Sequence, residues 1–283
     1  MIDRSIPKPQ EPHLVIEPPR WSAPLNLGEI WQYRRLFAFL VWRDITLRYR
    51  QTVLGVAWAI LQPLIPVLIL SIVFGVLANL PSEGVPYPIF IMSGLLPWIL
   101  FSTCLVQITN SITNSQGLIT KVYFSRFIIP LSALAVGTMD FLVGLVFLLI
   151  LMFGFYHVKP TLLLLLVPVY TLLVLIAAFA FGLWSSAISV KYRDVRNLVP
   201  FLLQFWMYMS PVIYSAELIP PKWIWLYNLN PMNPIIYGVR HSLIGSPIEM
   251  GVTSWISISS IFVILIGGLY YFRHVENEFA DVI

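Results

Sequence analysis

No charged residue lies between Gln51 and Ser82, between Gly84 and Thr120, or between Val252 and Phe272. Each of these runs exceeds the roughly 20 residues that an α-helix needs to cross the hydrocarbon core of a bilayer. Water cannot wet such surfaces, so the runs confine the chain to an all-α, multi-span membrane fold. The composition agrees. Charged residues make up 11% of the chain, against about 25% in an ordinary soluble domain.

Six spans are expected, at about 53–78, 88–110, 129–155, 161–187, 197–216 and 252–272, within a membrane domain covering 51–273. Chemically marked breaks separate them: Pro81-Ser82-Glu83-Gly84, His157-Val158-Lys159-Pro160 and Lys191-Tyr192-Arg193-Asp194. Orientation follows from lysine and arginine. With the N-terminus in the cytoplasm, 14 of the 17 basic residues fall on the cytoplasmic side, leaving Lys159, Lys222 and Arg240 outside. An even number of spans returns the C-terminal tail, 274–283, to the cytoplasm.

Residues 1–29 read as a proline-rich cytoplasmic tail, with Pro7, Pro9, Pro12, Pro18, Pro19 and Pro24 disfavouring helix. No apolar core of about 7–15 residues follows a cationic patch, so a cleaved export signal is not expected there. Residues 30–50 read as an interfacial helix in which Leu36, Leu40 and Leu47 share a face. The wheel is imperfect, since Arg43 borders that stripe and Phe39 and Trp42 lie off it. A basic segment that merely fixes topology is the plainer alternative.

Three stretches resist a lipid-filling explanation. In QITNSITNSQGLITKVYFSRF, Gln107 to Phe127, the second span loses its hydrophobicity before any charge appears. Polar side chains at bilayer depth require a wet cavity or protein neighbours. The basic, aromatic loop that follows suits docking to a soluble partner, although a long polar helix cap would look similar. In SPVIYSAELIPPKWIWLYNLNPMNPIIYGVRHSLIG, Ser210 to Gly245, the prolines interrupt an apolar segment, giving an expected external re-entrant hairpin over 217–247. Its Trp223, Trp225, Tyr227 and Tyr237 suit the headgroup layer, and a floating anchor loop is the alternative. Asp140 stands alone inside the third span, where a carboxylate is costly and turns inward. A functional role and a hydrogen bond to a neighbouring Ser or Thr stand side by side.

Aromatic residues also gather in the fifth span and its exit: Phe201, Phe205, Trp206, Tyr208 and Tyr214. Flat rings stack on the C–H faces of sugars, and they equally serve as lipid contacts. Four scattered histidines and the single Cys104 offer no metal-ligand spacing and no internal disulfide.

The stretches RYRQTVLGVAWAILQPL, GLLPWILFS, KVYFSRFIIPLS, YRDVRNLVPFLLQ, SPVIY and LNPMNPIIYGVR occur in this order. Together they resemble the polysaccharide-export permeases of ABC transporters, which handle O-antigen, teichoic acid and capsule precursors. The O-antigen members look nearest. The resemblance implies an inner-membrane homodimer of six-span subunits working with two copies of a separate ATP-binding subunit. It implies a polyprenyl-pyrophosphate-linked polysaccharide as cargo, moved outward. ATP and magnesium would sit on the partner. This chain has no G-x-x-x-x-G-K-[ST] loop of its own and would bind no cofactor and no nucleic acid.

By the same resemblance, Gly117, Lys121, Tyr123 and Arg126 would couple to the ATPase, and the hairpin would close the external mouth. The first and fifth spans would line the channel at the dimer seam, with Trp58, Phe205 and Tyr208 on the substrate path beside Phe201 and Tyr214. Arg43, Arg48 and Arg50 lie where a pyrophosphate would present itself, and guanidinium forks suit phosphate oxygens. Rival readings are a membrane transferase acting on polyprenyl-linked sugar, an ion-coupled transporter, and an ABC exporter of a lipid or drug.

Overall fold

The computed structural model describes residues 27–50, 57–122, 124–158, 161–215, 218–246 and 251–276. The proline-rich tail up to residue 26, Tyr123 and the last residues of the chain lie outside them. All regular structure among the described residues is helical. The α-helices are α1 (Leu27–Gln32), α2 (Arg34–Arg50), α3 (Ala57–Leu70), α4 (Tyr87–Asn114), α5 (Gln116–Ile119) and α6 (Ile128–Ile150). Then come α7 (Val167–Lys191), α8 (Val195–Tyr208), α9 (Ile224–Tyr227), α10 (Met232–Ile244) and α11 (Val252–Val275). Two α-helices continue as π-helix, α3 through Ser71–Leu77 and α6 through Leu151–Phe155.

Five segments are long and apolar enough to cross a membrane: Ile60–Leu77, Tyr87–Asn114, Ile128–Phe155, Leu162–Lys191 and Val252–Val275. They match five of the six expected spans. The segment expected at 197–216 is different. There α8 has 14 residues, about 21 Å at 1.5 Å per residue, short of a hydrocarbon core of roughly 30 Å. It ends at Tyr208 because Pro211 bars helical geometry from the residue before it, and the chain turns through 209–214.

The central helix is α4, buried along most of its length between α6, α7, α10 and the shorter α8. Its start is set by Pro88 in the first turn, where no N–H is needed. Several of its polar residues are satisfied within one turn: Ser93 donates to the Phe90 carbonyl (2.8 Å), Thr109 to Leu105 (2.7 Å) and Ser111 to Ile108 (2.7 Å). Thr109 also meets Ser185 of α7 at 2.8 Å, and Ser189 donates to the Thr109 carbonyl at 2.9 Å. These bonds fasten the two helices where the sequence turns polar. Behind α4, the buried Cys104 donates to the Leu134 carbonyl of α6 at 3.6 Å.

A second apolar cluster closes the basic end of the bundle. Leu40 of α2, fully buried, packs there with Ile112, Phe124, Phe127, Leu183 and Phe272. The expected stripe of α2 is therefore split: Leu36 and Leu40 turn into protein, while Leu47 stays exposed with Phe39 and Trp42.

Candidate functional site

At the basic end α2 lies against α6, and between α2, α3, α4 and α6 opens a cleft of ≈ 580 Å³. Asp140 forms its floor. Its carboxylate accepts from the Tyr49 hydroxyl and pairs with Arg48 at 2.6 Å. Among the described residues no serine or threonine holds it, and the partners come from α2. Burial first, and then the adjacent Asp140, push the Tyr49 hydroxyl up to about 12, so it remains a donor at neutral pH. Arg48 also reaches Gln62 of α3 at 3.4 Å. Arg43 pairs with Asp44 at 2.8 Å. Asp44, Trp58, Gln107 and Asn114 complete the polar wall, with Leu47 and Val136 as its apolar part. Arg50 is exposed at the end of α2.

The sequence isolates Asp140, but the fold brings Asp44 to the same cleft, each carboxylate held by an arginine rather than by the other. Gln107 and Asn114, which read as part of the approach to a docking loop, face the cleft instead. A wet cavity is what polar groups at that depth require.

The loop after α4 carries the expected coupling residues. Gly117, Lys121 and Val122 are exposed, and a Cβ added at Gly117 would meet open space. Arg126 is half-buried, and its backbone N–H donates to Glu276 at 3.1 Å, which in turn pairs with Arg273 at 2.8 Å. Phe127 and Phe272 pack as a tilted ring pair with centroids 4.7 Å apart. The tip of the loop is free to be touched, while its base is bolted to the end of α11. Tyr123 lies outside the described residues.

On α8, Phe201, Phe205 and Tyr208 share one exposed face, with Phe201 and Phe205 edge to face at 4.8 Å. Trp206 turns the other way, into Trp98, Phe101 and Phe181. Its indole donates to Asn230 at 2.8 Å, which ties α8 to the segment before α10. Tyr214 donates to the Tyr208 carbonyl at 2.9 Å, bridging the turn. Trp58 is half-exposed on α3.

The segment expected as a hairpin contains two helices, α9 and α10. Pro234 sits in the first turn of α10, so it starts that helix rather than breaking it. Trp223 and Trp225 are exposed, whereas Tyr227 and Tyr237 are half-buried and burial pushes both hydroxyls above their ordinary range. Sequence reading missed Arg240, counted there as a loop charge. It is fully buried, 3.9 Å over the Phe90 ring, and donates to the Pro211 carbonyl at 2.9 Å. Its room comes from Gly94: an added Cβ would lie 2.8 Å from the guanidinium. Glu83, in the loop before α4, accepts from Ser215 at 3.0 Å and supplies charge nearby.

Comparison with known proteins adds the lineage. Over 193 residues the chain is 34% identical to the O-antigen export system permease protein RfbA of Myxococcus xanthus, covering 68% of this chain and 72% of that protein. It is 25% identical to the protein of the same name from Klebsiella pneumoniae over 259 residues, 91% of this chain and 97% of the other. Similarity extends to the polysialic acid transport protein KpsM of Escherichia coli, at 24% identity over 81% of this chain and 89% of that one. Residues 35–244 match the ABC-2 type transporter family, a stretch from α2 to the end of α10 that takes in the cleft, the loop and Arg240. The chain belongs to the ABC-2 type transporter family.

Proposed function

We propose that the chain is the membrane subunit of an ATP-driven exporter that carries a polyprenyl-pyrophosphate-linked polysaccharide, of the O-antigen class, from the cytoplasmic to the external face of a bacterial inner membrane. The observation that carries this reading is similarity to polysaccharide permeases across nearly the whole length of both chains. ATP is hydrolysed on a separate partner, two copies of which dock on two copies of this chain. Each subunit spans six times, with α8 and the turn after it as the fifth span and both termini in the cytoplasm.

The exposed aromatic face of α8 supports a seam between the two copies, along which sugar rings slide; Trp58, expected there too, lines the cleft beneath α2. The exposed Arg50 at the end of α2 suits the diphosphate headgroup at the cytoplasmic leaflet, whereas Arg43 and Arg48, expected beside it, are paired with Asp44 and Asp140. The tip Gly117–Val122 suits the ATPase. The aromatic α9–α10 segment, as a re-entrant hairpin, closes the external mouth.

Co-purification from native membranes in mild detergent, followed by an ATP hydrolysis assay, tests the assignment. An ATP-binding subunit is expected to accompany the chain and to hydrolyse ATP. Isolation of a folded protein with no ATPase attached, and with transferase activity of its own, would sink it.

A further inference from the structure

The cleft beneath α2 has a chemistry that the headgroup reading does not use. Two arginines line it, but each is already matched: Arg43 with Asp44 at 2.8 Å and Arg48 with Asp140 at 2.6 Å. Two cations and two anions leave these four side chains with no net charge. A diphosphate entering here would meet two carboxylates as closely as two guanidiniums, and opposed charges of that kind cancel the attraction. An anion is better served outside the cleft, at the exposed Arg50.

What the cleft offers is a dense and balanced set of donors and acceptors. Gln107 and Asn114 each present a carbonyl and an amide N–H₂, Asp44 and Asp140 accept, and Arg43 and Arg48 donate. Planar groups of this kind span neighbouring hydroxyls, which themselves both donate and accept. Trp58, half-exposed in the same wall, adds a flat apolar face for C–H groups. The floor is rigid. Asp140 is 7% exposed and is held by both Tyr49 and Arg48, so its acceptor geometry is set before any ligand arrives. A cavity of ≈ 580 Å³ lies inside the usual range for small-molecule sites, about 300–1,000 Å³.

We infer that this cleft is a saccharide-binding subsite within each subunit, taking a neutral, hydroxyl-rich sugar next to the diphosphate of the lipid-linked cargo. The inference rests on the proposed function and deepens it. The headgroup stays at the exposed face of α2, and the cleft checks that a glycan is attached. A lipid diphosphate without sugar leaves Gln107, Asn114 and Trp58 unused and binds more weakly.

The test uses the complete complex with its ATP-binding subunit in lipid nanodiscs. Two radiolabelled probes are compared: the lipid-linked glycan extracted from the same cells, and bare polyprenyl diphosphate of the same chain length. The complex should hold the glycosylated probe about tenfold more tightly than the bare one. Asn114→Ala and Trp58→Ala, both at exposed positions, should bring the two affinities together while leaving the bare probe unchanged. Gln107→Ala should do the same, and a melting curve for each variant confirms that it is folded. Equal affinities in the unaltered complex overturn the inference, and so does an equal loss of both probes in the variants, which would assign the cleft to the headgroup. Retention of neither probe overturns the proposed cargo as well, and that outcome is distinct from the other two.

Discussion

Asp140 and Arg240 are the two side chains whose surroundings decide most. Each is an ionisable group in an apolar bundle with a partner far away in sequence: Asp140 meets Tyr49 and Arg48, and Arg240 donates through Nη2 to the Pro211 carbonyl, while its Nε and Nη1 are buried with no hydrogen-bond partner among the described residues. Removing one partner of a buried pair leaves the other uncompensated, at a cost of about 3–5 kcal/mol. Arg48 is 27% exposed and can turn toward water, so Asp140→Asn should cost less than that range. A lower melting temperature in detergent is expected, and Arg48→Met in the same background should restore part of it, because the orphaned charge is gone. No recovery in the double variant would mean that the pair is not what Asp140 stabilises. At the opposite end, Gly94→Ala should destabilise by about 1–3 kcal/mol, since the new methyl group meets the Arg240 guanidinium at 2.8 Å and the Val212 carbonyl at 3.0 Å. A melting temperature equal to that of the parent protein would show that the guanidinium has room to shift.

Among the elements, the long apolar spans were legible because length and hydropathy alone define a span, and five of the six expected stand close to where the sequence puts them. The short α8 was not. The apolar run continues past Tyr208 into the turn, and hydropathy does not register where Pro211 stops the helix. At α10 the prolines act as the sequence suggests, since no helix of spanning length forms there, although the place of Pro234 in the first turn of a shorter helix needed the structure. The partners of Asp140 were equally hidden: Tyr49 and Arg48 lie on a different element, and periodicity within one helix carries no information about its neighbours. The polar end of α4 was legible as polar, but its division between α7 and the cleft needed the packing. If the Phe201–Phe205–Tyr208 face meets its copy, Phe205→Cys should yield an oxidant-dependent covalent dimer in membranes, and the inward-facing Trp206→Cys should not. Equal cross-linking at both positions would remove α8 from the seam. On the loop, Lys121→Ala should reduce the ATP-binding subunit recovered with the chain and leave the melting temperature unchanged, because Lys121 is exposed and Glu276 secures the base of the loop through a backbone N–H. Undiminished recovery would place the docking surface elsewhere.

For the whole molecule, polar chemistry sits at the two ends of an apolar bundle. The basic end holds the cleft, the loop tip and the Glu276 tie; the other holds Arg240, Glu83 and the aromatic segment. α4 runs between them, from a start near the Arg240 shelf to Asn114 at the cleft. A shift of α4 along its axis would be felt at both ends, since it is packed along most of its length and interiors of this density deform little. The burial of Cys104 bears on how such movement can be followed. The chain has one cysteine, fully buried and with its thiol turned to the Leu134 carbonyl. Probes attached through maleimide chemistry therefore have no native surface target among the described residues. A fluorophore or spin label placed at Lys121 on one end and Trp223 on the other can report distances in the otherwise unaltered protein, with no need to engineer a thiol-less parent first.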